Sequence, residues 1–312
     1  MNTKKIFALT VIFVVGFVLG FSIKSDSRTV AIVENKSQFP LINPTILSDL
    51  NKHFIINFKP LRVELEKVQK MYPQKTYVYF LYLNSGSWIG LNERDEFTAA
   101  STTKVPLAIS LFKAVEEGKI NFEDVYTLDA SDLDKNFGDL YMVGPGESLT
   151  VRELAKIMLE HSDNTAKNAL LNSLEQLGIK NPLQPVYESF GWTFDFGENP
   201  NFTKINLKTL SNMFLALYNV KYINAANSQQ ILDYLTNTPF NEKIRDGVPN
   251  SILVAHKIGV SKNDETFSDC GIVYAPNRNY ILCAGFNGGN EEKANEFMKT
   301  ISRMVYDYVI NN

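Results

Sequence analysis

Residues 96–118 read EFTAASTTKVPLAISLFKAVEEG. A serine, Ser101, stands three residues before a lysine, Lys104, where a helix begins. Positions i and i+3 of a helix share a face, so the spacing brings hydroxyl and amine together. A serine hydroxyl is a weak nucleophile and needs an adjacent base. A lysine that is desolvated, or set beside another cation, has a lowered pKa and can be that base. The free N–H groups and positive dipole end of a helix start favour developing negative charge. Pro106 falls in the first turns, where proline is tolerated. The apolar run VPLAISLF makes this a central helix whose start is buried in the floor of a cleft. Taken alone, Ser-x-x-Lys equally fits a helix cap with an exposed lysine, so the rest of the chain decides.

Two β-rich runs precede the stretch: KTYVYFLYL (75–83) and SWIGLNE (87–93), joined at the turn signal NSGS as a hairpin. Three more close the chain: SILVAHKIGV (251–260), DCGIVYAP (269–276) and NYILCAGFN (279–287), the last two connected by PNRN. Helical patterns fill the interval from Ser101 to about Asn237. Among them SLTVRELAKIMLEHS (148–162) opens with a Thr150-x-x-Glu153 capping box. Helical spacing also runs through Ile46–Tyr72, with a break near Pro60, and through 291–310. Strands from both ends of the chain therefore share one antiparallel sheet, and the helical middle is an insertion packed on one side.

The chain has 312 residues, 45% apolar and 21% charged, with net charge −3. This is a globular composition, and the absence of a basic excess argues against a nucleic-acid partner. His53, His161 and His256 are scattered, and no Cys/His spacing indicates zinc, so neither metal nor organic cofactor is expected. Cys270 and Cys283 read as two buried free thiols, with a cross-strand disulfide as the alternative for an exported domain. At the N-terminus MNTKK precedes the uncharged run Ile6–Ile23. Its 18 residues are at the lower limit for spanning a bilayer. They read as a signal anchor, with a cleaved signal peptide as the alternative, and Lys4 and Lys5 stay on the cytoplasmic side. Residues 1–23 are thus the targeting segment, 24–45 an extracytoplasmic linker, and 46–312 the working domain, with a helical subdomain at about 118–240. The expected location is extracytoplasmic.

Two further clusters bear on Ser101. Ser162-Asp163-Asn164 lies between helical runs, where by itself it is a helix-cap cluster. Lys257-Ile258-Gly259 interrupts an apolar β run, and a glycine there marks close approach of a backbone or ligand. In this order Ser-x-x-Lys, Ser-Asp-Asn and a Lys-x-Gly resemble the motif set of the class A β-lactamases and penicillin-binding proteins. The resemblance covers about residues 45–310. It implies an α+β fold of three α/β/α layers: a five-stranded antiparallel sheet flanked by helices, with an inserted all-helical subdomain. It implies Ser101 as the acylated nucleophile and Lys104 as its base. Ser162 would pass a proton to the leaving nitrogen, Asn164 would hold the substrate's amide side chain, and Lys257, next to Gly259, would bind the substrate carboxylate. The N–H groups of Ser101 and Val260 would form the oxyanion hole. The implied partner is a β-lactam or a peptidoglycan stem peptide, met by a monomer tethered to the membrane.

Two departures stand out. Ile258 replaces a hydroxyl residue of the family's third motif, removing a hydrogen bond to a charged group that contributes roughly 1.5–3 kcal/mol. The family's β-lactamases also carry a glutamate that activates the deacylating water. In ESFGWTFDFGENPNFTKINLKTL (188–210) the nearest carboxylates are Glu198 and Asp195, and Gly197-Glu198-Asn199-Pro200 reads more readily as a turn. Three functions follow: a β-lactamase, a D-alanyl-D-alanine peptidase, or a wall-binding or β-lactam-sensing domain that stops at the acyl-enzyme.

Overall fold

A computed structural model describes residues 40–41, 56–192 and 204–312. The run Ile6–Ile23, the linker apart from Pro40 and Leu41, and Asp195 and Glu198 lie outside these residues. Among the described residues no helix is long and apolar enough to cross a membrane.

The elements follow in chain order. Helix α1 (Lys59–Lys70) leads into β1 (Lys75–Tyr82), β2 (Trp88–Leu91) and β3 (Phe97–Thr98). A 3-10 turn, Ala100–Thr103, then feeds α2 (Lys104–Glu116). Strands β4 (Val125–Thr127) and β5 (Ser148–Thr150) bracket two short 3-10 turns. Helices α3 (Val151–Glu160), α4 (Asn164–Gln176) and α5 (Gln184–Ser189) follow, then β6 (Lys204–Ile205), α6 (Leu207–Tyr218) and α7 (Ala225–Thr236). Strands β7 (Val254–Ser261), β8 (Thr266–Val273) and β9 (Tyr280–Asn287) lead to α8 (Glu291–Asn311).

The main sheet is five-stranded, in the order β2-β1-β9-β8-β7, with every pairing antiparallel. The five-stranded antiparallel sheet flanked by helices is the one expected. All five sheet strands lie where the β-rich runs place them, and strands from the two chain ends meet at β1 and β9. Their side chains alternate between two cores, as a strand's period of two requires. Tyr77, Tyr79 and Leu81 face the first, with the helical half; Val78, Phe80 and Tyr82 face the second, with α1 and α8. Because both faces are covered, β1 reads as a continuous apolar run rather than an alternating one. Helix α2 is buried on nearly every side, from Val105 to Ala114, and is the central helix of the first core.

Local signals explain several boundaries. The break near Pro60 is the first turn of α1, where a missing N–H costs nothing. Thr150 Oγ1 accepts from Glu153 N at 3.2 Å, and Glu153 Oε2 accepts from Thr150 N at 2.8 Å, completing the capping box of α3. The helical half also carries the short ribbon β4–β5. One expectation is corrected. Cys270 and Cys283 are not free thiols: they face each other in the β8–β9 register and form a disulfide. Direct cross-strand neighbours hold their Cβ atoms within bridging reach, a pairing that two short strand motifs in sequence do not specify.

Candidate active site

Ser101 sits in the 3-10 turn rather than on the α-helix itself, and Lys104 is the first residue of α2. In a 3-10 turn positions i and i+3 eclipse, which aligns the two side chains more closely than an α-helix would. Lys104 Nζ lies 3.1 Å from Ser101 Oγ. Ala100, just before Ser101, has φ +47°, and Ser162 has φ +56°. Such left-handed conformations cost non-glycine residues about 1–3 kcal/mol each and persist where surrounding packing enforces them.

Ser162 joins α3 to α4 and is fully buried. Its carbonyl oxygen accepts from Lys104 Nζ, and its Oγ is 3.3 Å from the same nitrogen. Asn164 Oδ1 accepts from Lys104 Nζ at 2.7 Å. The intervening Asp163 caps α4, accepting from Ala166 N at 2.8 Å with one oxygen and from Leu140 N at 2.9 Å with the other. The helix-cap reading of this cluster therefore holds for Asp163, while its two neighbours converge on Lys104.

The third motif arrives on β7, the edge strand of the sheet. A Cβ on Gly259 would lie 2.8 Å from Ala99 O, 3.0 Å from Thr102 Cγ2 and 2.6 Å from Ser268 Oγ. The glycine thus lets the Ser101 turn settle against β7, with Val260 next along the strand. Lys257 shares the face of Ala255 and Gly259, toward the helical half. It is 1% exposed, and among the described residues nothing accepts a hydrogen bond from its Nζ. Ile258, on the opposite face of the strand, is buried at 4%.

Electrostatics follow from burial. Lys104 is 1% exposed, and desolvation holds its pKa well below the lysine range. The positive charges of Lys257 and Lys167 lower it further, against opposing pulls from Asp163 and Asp134. Desolvation brings Lys257 down to about 7, with Asp269 pulling the other way. Lys167 is itself lowered by burial, and it was not among the residues singled out from sequence. Its signal was available, since it follows Asn164 by three positions on α4. Among the described residues no group of three or more His, Cys, Asp or Glu side chains is arranged to hold a metal ion.

The arrangement has a definite proton bookkeeping. A neutral amine offers two N–H donors and one lone pair. As a neutral amine Lys104 would donate to Ser162 O and Asn164 Oδ1 and turn its lone pair toward the serine hydroxyls, 3.1 Å and 3.3 Å away. Five of the motif residues, Ser101, Lys104, Ser162, Asn164 and Gly259, meet around this turn, and Lys257 and Val260 flank it on the same strand. Glu198 lies outside the described residues.

A family model described as the Beta-lactamase enzyme family matches residues 60–309. Among curated relatives, Beta-lactamase VEB-1 of Pseudomonas aeruginosa is 20% identical over 280 residues, spanning 80% of this chain and 91% of its own. Beta-lactamase CTX-M-97 of Escherichia coli is 25% identical over 267 residues, 80% of this chain and 88% of its own. Among solved structures, that of PBP-A superposes with a TM-score of 0.73 at 23% identity, covering 81% of this chain and 97% of its own, which shows a shared fold.

Proposed function

We propose, since the chain belongs to the β-lactamase enzyme family, that it is a serine hydrolase that opens β-lactam amide bonds through an acyl-enzyme at Ser101. The observation that carries this reading is the buried Lys104, its pKa lowered by desolvation, with Ser101 Oγ, Ser162 O, Ser162 Oγ and Asn164 Oδ1 all converging on its Nζ. Ser101 Oγ attacks the lactam carbonyl as its proton moves to Lys104 Nζ. The developing oxyanion is held by the N–H groups of Ser101 and Val260. The C–N bond breaks as Ser162 delivers a proton to the ring nitrogen, and Lys104 Nζ, 3.3 Å from Ser162 Oγ, replaces it. Lys257, buried without an acceptor, receives the substrate carboxylate, and Asn164 holds the amide side chain.

Hydrolysis of the ester needs a base for water. The candidate for this base is Glu198, which lies outside the described residues. If no such base operates, the acyl-enzyme persists, and the chain behaves as a D-alanyl-D-alanine peptidase of the penicillin-binding type or as a sensor.

The same reading places the enzyme outside the cytoplasm, anchored by Ile6–Ile23. The Cys270–Cys283 disulfide supports this, because such bonds persist in oxidising compartments. The test is intact-mass spectrometry of the chain mixed with benzylpenicillin. A rapid adduct that disappears as penicilloate accumulates is expected. A stable adduct would establish the acyl-enzyme without the hydrolase. Ser101→Ala must abolish labelling; an adduct that survives it would refute the nucleophile.

A further inference from the structure

Two phenylalanines take no part in the chemistry above. Phe137 lies in the loop before the 3-10 turn Leu140–Val143, and Phe240 in the loop after α7. Their ring centroids are 5.4 Å apart, with planes inclined at 50°. The Phe137 centroid is 6.0 Å from Lys104 Nζ, and the Phe240 centroid is 5.9 Å from Lys257 Nζ. The pair therefore sets one ring beside each lysine. Both lysines are 1% exposed, and among the described residues Lys257 Nζ, which is out of reach of solvent, has no acceptor. A carboxylate cannot reach an ammonium that has no accessible surface, so something must move before a ligand binds there.

The two sides of the pair are held differently. Phe137 O accepts from Asn164 N at 3.0 Å. The next residue, Gly138, has φ +89°, and a side chain there would collide with the Asp163 carboxylate, which also ties down Leu140 N. The Phe137 loop is thus clamped to the segment carrying Ser162 and Asn164. Among the described residues the one hydrogen bond of Phe240 is a long one, from its N–H to Thr238 Oγ1 at 3.4 Å, and Asn237, Pro239 and Asn241 around it are exposed.

We propose that Phe137 and Phe240 form an aromatic gate across the cleft, closed in the free protein, in which Phe240 is the moving half that admits a carboxylate to Lys257. The proposal rests on reading the three motifs as the active site. Because Phe240 stands beside the lysine that takes the carboxylate, the gate discriminates against substrates with bulk next to that group.

The test has two arms. In the first, the intact chain is treated with N-hydroxysuccinimidyl acetate, and acetylation of Lys257 is followed by peptide mass spectrometry against the exposed Lys180. In the parent, Lys257 should react far more slowly than Lys180. In Phe240→Ala its rate should rise about 2- to 10-fold, the factor by which one aromatic pair favours a closed state over an open one. Adding Phe137→Ala should then change little, and Phe240→Leu, which keeps apolar bulk, guards against a folding defect. Equal Lys257 rates in the parent and both folded Phe240 variants would overturn the gate. In the second arm, the second-order rate of penicillin acylation should rise by a similar factor in Phe240→Ala, more for β-lactams bulky beside the carboxylate, while the saturating rate stays unchanged. A proportional fall in both rates would overturn the gate in favour of substrate stacking. If penicillin fails to label the parent, the proposed function falls, and the acetylation arm alone decides the gate.

Discussion

At the scale of single residues, two lysines divide the work through opposite needs. On the proposed function Lys104 must be neutral to take the Ser101 proton, whereas Lys257 must be charged to hold a carboxylate. Burial lowers both, and each cation deepens the effect on Lys104. The pH dependence of acylation by free enzyme should therefore fall on the alkaline side from about pH 7, as Lys257 loses its proton. A bound carboxylate would hold that proton, so the saturating rate should persist to higher pH. Pre-steady-state acylation measured from pH 5 to 9 checks both limbs. The same burial has a stability consequence whose sign is fixed by linkage. Below pH 7 folded and unfolded chains both carry the Lys257 proton, and the full desolvation penalty applies. Between about 7 and the unfolded lysine value the folded state binds fewer protons, so stability rises with pH. Lys257→Met should therefore be more stable than the parent at pH 6, by on the order of a few kcal/mol at about 1.4 kcal/mol per pKa unit. The advantage should shrink by pH 9. Urea titrations at the two pH values measure it, and a constant difference would count against the buried charge.

At the scale of elements, Ser101 is placed by a meeting of two backbones. The 3-10 turn Ala100–Thr103 rests on β7 because Gly259 leaves room for Ala99 O and Thr102. Gly259→Ala would force that contact apart by several tenths of an ångström. Overpacking of this kind costs about 1–3 kcal/mol in stability. The displaced turn should cost more in chemistry, on the order of 100-fold in acylation rate for a shift approaching 1 Å. Stopped-flow acylation of a variant that retains a cooperative unfolding transition separates the two. An unchanged rate would show that the turn is positioned by α2 alone. The capping box of α3 is a second element-scale contribution. Thr150→Ala should destabilise by about 1 kcal/mol without altering acylation, since the cap lies at the far end of α3 from Ser162.

For the whole molecule, the sheet is the frame on which three distant stretches of chain meet. Cys270 stands directly across from Lys257 in the β7–β8 register and is bonded to Cys283 on β9. The disulfide therefore ties together the strands beside Lys257. It closes a short loop, with a sequence separation of 13. The chain-entropy account assigns about 3 kcal/mol to a loop of this size. Replacing both cysteines by alanine should lower the unfolding free energy by roughly that amount and shift the urea midpoint accordingly. A midpoint unmoved by the double substitution would show that β-sheet packing alone holds these strands.

Much of this protein was determined by its sequence alone. The five sheet strands, the central helix and the capped start of α3 follow from periodicity, turn residues and a Thr-x-x-Glu pattern, all local properties of the backbone. The pairing of Ser101 with Lys104 was equally legible, because i and i+3 are neighbours in any helical turn. Gly259 announced a close approach, though not which backbone would approach. Only the tertiary structure decided that Lys104 shares its protons between Ser162 and Asn164, and that Lys167 adds to the field. It also decided that Cys270 bonds Cys283 and that Phe137 meets Phe240 over the cleft. These are contacts between residues distant in sequence, except for the cysteines of one hairpin, whose pairing waits on strand register. A local pattern carries no information on the register or loop closure that creates such contacts. The lowered pKa values belong to the same class, since burial is a property of the packed molecule and not of the lysine.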